Sequence, residues 1–163
     1  MTQEEYKREV RRLRPKLLQV ARRYLSDDDA EDTVQDVLLR LWQMVGELRM
    51  PPDALATVLT RNLCISQLRR QQPAGLRVSR DVPDANEAED DAAIESNKRM
   101  ERILTAVNAL PPMQQTILRL RHMEGMEMQQ IAAITGASEA AVRKALSRAR
   151  QKIRQQYMKQ YGQ

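Results

Sequence analysis

Between Met126 and Arg150 the apolar residues follow helical spacing, stop at a single glycine, and resume at helical spacing. No other feature constrains the fold as tightly. Ile131, Ala132 and Ile134 give the first half an apolar face. Gly136 can take the positive φ that a tight helix-ending turn needs. Ser138 suits the N-cap of a second helix, although position 141 is Ala and closes no capping box. Val142, Ala145, Leu146, Ala149 and Ile153 mark a buried stripe, and Arg143, Lys144, Ser147, Arg148 and Arg150 fall on the opposite face. A solvated amphipathic helix would show two faces alone. Turn, cap and both stripes together specify a helix-turn-helix whose second helix, over 138–154, suits a DNA major groove.

The rest of the chain predicts more helices. Phe is absent and aromatics are 3% of residues, so the core must be aliphatic. Glycine is rare, and no alternating β-branched run suggests a sheet. The expected class is all-α, helices packed on helices. A first helix is read over about Glu4–Leu25, with Pro15 expected to kink it. Ser26 caps a second, opened by Asp27, Asp28, Asp29, Glu31 and Asp32 where carboxylates favour the dipole. Met50-Pro51-Pro52 breaks the chain before a third helix over about Asp53–Gln71. Residues 73–94 read as a linker. Further helices follow over about Ala92–Leu110 and Met113–Met123, then the helix-turn-helix.

Charge is distributed unevenly around a net +5. Asp81, Asp84, Glu87, Glu89, Asp90, Asp91 and Glu95 lie in a stretch with no Lys or Arg, whereas the segments on either side are both basic. Two basic segments point to a polyanion touched at two places. Cys64, the one cysteine, lies in an apolar helical run and reads as a small buried thiol. The acidic run from Asp27 lacks the glycine and distal glutamate of a calcium loop. His122, the one histidine, has no ligand-spaced neighbour. No nucleophile–base set or phosphate-cradling loop is present. No enzyme, catalytic residue, metal or cofactor is therefore expected. Residues 1–16 are charged throughout and no apolar stretch approaches membrane-spanning length, so a soluble, cytoplasmic protein without membrane insertion is expected.

Three segments, in order, resemble the bacterial sigma-70 family, specifically its extracytoplasmic-function (ECF) group. Asp29-Ala-Glu-Asp-Thr-Val-Gln-Asp-Val-Leu-Leu-Arg-Leu-Trp42 is similar to region 2.1–2.2. Thr60-Arg-Asn-Leu-Cys-Ile-Ser-Gln-Leu-Arg-Arg70 is similar to region 2.4. Leu110-Pro-Pro-Met-Gln-Gln-Thr-Ile-Leu-Arg-Leu-Arg121, with the helix-turn-helix, resembles region 4. The resemblance implies a region 2 domain over 1–72, a flexible acidic linker over 73–94 and a region 4 domain over 95–163. It implies core RNA polymerase, promoter DNA and an anti-sigma factor as partners. Asp32, Gln35 and Asp36 would then meet polymerase. Arg49, Arg61, Asn62, Ser66, Arg69 and Arg70 would line the minus-ten strand. Ser138, Arg143, Lys144, Ser147 and Arg148 would reach the minus-thirty-five element, with Arg150 and Lys152 on phosphates. Two departures stand out. Ala54-Leu-Ala-Thr-Val-Leu replaces the aromatics that lead many relatives into region 2.4, and Ala140-Ala141 replaces a common Gly-Thr pair. The rival reading is a stand-alone helix-turn-helix regulator, which would need a symmetric pair of recognition helices.

Overall fold

The computed structural model describes residues 1–71 and 87–161. Among these, seven α-helices and one short 3-10 turn occur, with no strand: α1 (Gln3–Arg22), α2 (Asp27–Gln43), the turn Val45–Glu47, α3 (Asp53–Gln71), α4 (Glu87–Asn108), α5 (Pro112–His122), α6 (Met128–Thr135) and α7 (Glu139–Tyr161). The chain divides into two compact units. One holds α1 to α3 together with the segment Gln129–Ser138; the other holds α4, α5 and α7.

In the first unit, α1, α2 and α3 pack pairwise against one another. Thr2 opens α1 with a capping box: Glu5 N donates to Thr2 Oγ1 at 3.1 Å and Thr2 N donates to Glu5 Oε2 at 2.9 Å. Pro15 lies inside α1, which continues as α-helix to Arg22. The helix stops three residues short of the expected end. Leu13, Leu17, Ala21, Val34, Val37, Leu41, Leu55 and Ala56 form the dry centre of this bundle. Truncating one of its leucines to Ala would cost about 2–5 kcal/mol. Ser26 caps α2 as read, its hydroxyl accepting from Asp29 N at 3.4 Å. Buried polar groups are satisfied: Thr60 Oγ1 donates to Ala56 O at 2.8 Å, and Thr33 Oγ1 donates to Gln67 Oε1 at 2.9 Å. The Tyr6 hydroxyl donates to the Leu38 carbonyl while its ring tilts against Trp42 at 5.6 Å. Burial pushes the Tyr6 phenol up to about 12. Cys64 is buried, and its thiol is raised for the same reason.

In the second unit, α7 packs on both α4 and α5. Pro112 occupies the first turn of α5, where its missing N–H leaves no intrahelical bond unmade. Ala106, Val107, Leu110, Met113, Ile117 and Leu120 are buried with Val142, Leu146 and Ala149. Gln115 Nε2 donates to Val107 O at 2.9 Å, and Arg119 Nη2 donates to Asn108 Oδ1 at 2.5 Å. Two boundaries differ from expectation. The start of α4 is Glu87, inside the stretch read as linker, because Glu and Ala favour helix without leaving an apolar stripe to read. The expected linker up to position 86 lies outside the described residues. And α7 runs on to Tyr161, past the expected end at 154.

Candidate nucleic-acid interface

The turn between α6 and α7 is built from three consecutive residues. Thr135 is buried and its hydroxyl donates to Ile131 O at 2.7 Å, closing the last turn of α6. Gly136 sits at φ 75°, and its N–H donates to Ala132 O at 2.9 Å. Ala137 N then donates to Thr135 Oγ1 at 3.4 Å. A side chain at Gly136 would be held in the left-handed region, which explains the glycine. The chain re-enters helix at Glu139, directly after Ser138.

Along α7 the two expected stripes separate cleanly. Val142, Leu146 and Ala149 are fully buried, and Ala145 and Ile153 half-buried. Ser138, Arg143, Lys144, Ser147, Arg148, Arg150 and Lys152 are all exposed. Arg143 is weakly held, with Nη2 3.5 Å from Glu139 Oε2, one helical turn earlier. Arg150 behaves differently from the rest. Its Nε donates to His122 Nε2 at 3.2 Å, with Nη2 at 3.0 Å from the same atom, so its guanidinium lies along the end of α5. Burial, then Arg150 and Arg121, lower the His122 imidazole below its ordinary value and keep it a neutral acceptor.

The expected minus-ten residues fall on α3 and the loop before it. Asn62, Ser66, Arg69 and Arg70 recur at i, i+4, i+7 and i+8 and so share one face, with Arg61 at its edge. Arg70 Nη2 donates to Ser66 Oγ at 3.2 Å. Arg49 is exposed in the loop before Asp53. The end of that loop is anchored by a network invisible to local reading. Asp53 takes Arg12 Nη1 and Nη2 at 2.7 and 2.6 Å and Lys16 Nζ at 2.9 Å, and Arg12 also pairs with Glu9. The Arg12 guanidinium above all holds the Asp53 carboxyl well below the usual carboxylate range, and the carboxylates raise Arg12 in return.

Asp32, Gln35 and Asp36 are exposed on α2, as their i, i+3, i+4 spacing demands. The same face carries Leu39, 54% exposed, which periodicity had not singled out. A second apolar surface lies in the other unit, where Ile103, Val107, Leu118, Met123, Ile153 and Met158 line a groove of about 490 Å³ beside Arg150 and His122. Among the described residues, no cluster of His, Cys, Asp and Glu could hold a metal ion, and no helix is long and apolar enough to cross a membrane.

Comparison with known proteins adds to this geometry. The family model described as Sigma-70 region 2 matches residues 9–74, and that described as Sigma-70, region 4 matches residues 100–153. The chain is 34% identical over 142 residues to a protein of Xanthomonas campestris pv. campestris named "Probable RNA polymerase sigma factor RfaY", with 81% of this chain covered. The chain spans only 35% of that relative's length. It is 29% identical to the RNA polymerase sigma-E factor of Streptomyces coelicolor, covering 93% of this chain and 85% of that one. A solved structure of the Bartonella quintana sigma factor RpoE in complex with the anti-sigma factor NepR aligns over 94% of this chain and 96% of that one, at 22% identity and a TM-score of 0.38.

Proposed function

The chain belongs to the sigma-70 family, in its two-region ECF form, and from that premise we propose how its surfaces divide the work of promoter selection. It acts by binding, with no reaction of its own, in the cytoplasm where RNA polymerase works. A domain over 1–72 docks on core RNA polymerase and engages the minus-ten element. A domain over 95–163 reads the minus-thirty-five element. The segment before Glu87 joins the two.

The observation that carries this reading is α7, whose apolar stripe is buried while Arg143, Lys144, Ser147 and Arg148 stand free of the core on the opposite face. Arg and Lys near the start of such a helix reach guanine edges in the major groove, whereas Lys152 lies farther along and suits a phosphate. Arg150, drawn toward His122, is the weakest member of this set in its present rotamer. On the other domain, Asn62, Ser66, Arg69 and Arg70 offer polar groups and positive charge to an unstacked strand, with Arg49 and Arg61 flanking. Ala54 and its neighbours supply no aromatic for stacking. Asp32, Gln35 and Asp36 around Leu39 form the polymerase contact. The groove beside Arg150 supports a second protein contact, to which an anti-sigma factor is assigned.

The test is assembly. Purified chain is mixed with core polymerase and promoter duplex and followed by native electrophoresis. Retention of the duplex only when both proteins are present supports the reading. Tight binding of a palindromic duplex by a dimer of the chain alone replaces it with the stand-alone regulator.

A further inference from the structure

The solvent face of α1 has no part in the proposed division of labour, yet it is the most uniformly cationic helix face in the first unit. From Val10 to Ser26 the sequence contains six Lys/Arg and no acid. Leu13, Leu17 and Ala21 point into the bundle, so the cations must occupy the other side. Lys7, Arg11, Arg14 and Arg22 recur at i, i+4, i+7 and i+15, with half-buried Leu18 at i+11 as the one apolar residue of the row. Arg8 and Arg23 flank it, both exposed.

The charges are not equally available. Arg12 and Lys16 are committed to Asp53, and these two line a shallow cleft along α1 with Arg14, Gln19 and Arg22. Lys7 lies 3.7 Å from Glu4 and Arg22 lies 3.3 Å from Asp27, both on the surface, where such pairs are worth little. Arg11 and Arg14 form no ion pair among the described residues. The centre of the row is therefore positive and uncompensated.

We propose that this row is a phosphate-tracking site for duplex DNA, which gives the first unit a sequence-independent grip on the nucleic acid. The proposal goes beyond the promoter-reading surfaces and does not depend on them. Geometry favours the ligand. Fifteen residues of α-helix span roughly 22 Å, and one strand of a duplex presents a phosphate about every 3.4 Å of axis, so about six phosphates lie within the length of the row. The row carries no aromatic residue, which argues against single strands, since these are held by base stacking. It also lacks the apolar centre of a protein interface, where charge is depleted.

The experiment uses the full chain and a random-sequence duplex that contains no promoter element, followed by fluorescence anisotropy across a salt series. A variant carrying Lys7→Gln, Arg11→Gln and Arg14→Gln is compared with wild type, and circular dichroism confirms equal helix content. Each neutralised phosphate contact removes roughly 0.9 from the slope of log K against log salt. The slope is expected to lose about 2 to 3 in magnitude. The charge-keeping variant with Arg11→Lys and Arg14→Lys is expected to retain the wild-type slope. The same loss is expected when Lys144→Gln and Arg148→Gln are already present, which separates this site from the recognition helix. An unchanged slope overturns the proposal. So does a loss confined to core-polymerase affinity, which would make the row a protein contact, or a larger effect on single-stranded than on duplex DNA.

Discussion

Arg143→Ala isolates base reading from stability, because the structure puts a small ceiling on what Arg143 does for the fold. Its side chain is 65% exposed, and it pairs with Glu139, one turn earlier at 3.5 Å. An exposed i, i+4 pair of this kind contributes about 0.3–0.5 kcal/mol. Alanine is a slightly better helix former than arginine, which offsets part of that loss. The net change in stability should therefore stay within about 0.5 kcal/mol, or less than roughly 4 °C in the melting temperature of a domain this small. A bidentate base contact is worth more, about 1–3 kcal/mol, equivalent to a loss of roughly 5- to 150-fold in affinity. The assay is competition binding of the reconstituted holoenzyme to promoter duplexes bearing single substitutions across the minus-thirty-five element, beside thermal melts of the free chain. The expected outcome is a loss on the native promoter that disappears when one particular base pair is already changed. Arg143→Lys keeps the charge but not the planar fork, and should lose the same base preference while retaining general affinity. A uniform loss over all duplexes, or a melting temperature lowered by much more than 4 °C, would refute the assignment.

Other surfaces give separate outcomes. Lys152→Ala should weaken binding to every duplex alike and reduce the salt slope by about 1, measured in the same titrations. Asp32→Ala combined with Asp36→Ala should weaken core-polymerase binding without changing helix content, and Leu39→Ser should add to the effect; titration against labelled core polymerase measures both. Asp53→Asn should cost about 1 kcal/mol at neutral pH, since it removes two partly exposed ion pairs. The Asp53 carboxyl is depressed in the folded state, so its contribution is complete above the unfolded value near 3.9 and fades as pH falls below it. Melts of wild type and variant should therefore stay apart above about pH 5 and draw together progressively as the pH falls below about 4 toward the folded value.

The helices were legible where local chemistry marks their ends. Ser26 opens α2, Pro51-Pro52 precedes α3 and Gly136 ends α6, and each lies where the sequence reading set it. The stripe of Val142, Leu146 and Ala149 was equally plain, because a buried face forces 3.6-residue spacing. Ends without such marks were missed. The start of α4 lies in acid- and Ala-rich sequence that has high propensity but no stripe, and α7 continues past Ile153 through Gln, Arg and Lys that favour helix without signalling it. Pro15 lies inside α1, within the helix expected over about Glu4–Leu25.

At the candidate site, exposure of the basic residues followed from their spacing, but their partners did not. Arg12 meets Asp53 across 41 positions, and Arg150 meets His122 across 28. Such pairs leave no local pattern, because only tertiary packing brings their helices together. The consequences are specific: one network fixes the end of the loop that holds Arg49, and the other turns Arg150 toward α5.

Run-off transcription with purified core polymerase tests the central claim most directly. Templates carry a promoter selected by the reconstituted holoenzyme, with its minus-ten or minus-thirty-five element intact or scrambled. The account predicts a discrete transcript only when this chain is added, lost when either element is scrambled and strongly reduced by Arg143→Ala. Transcription that is unaffected by the chain, or repressed by it on the intact template, would contradict the account.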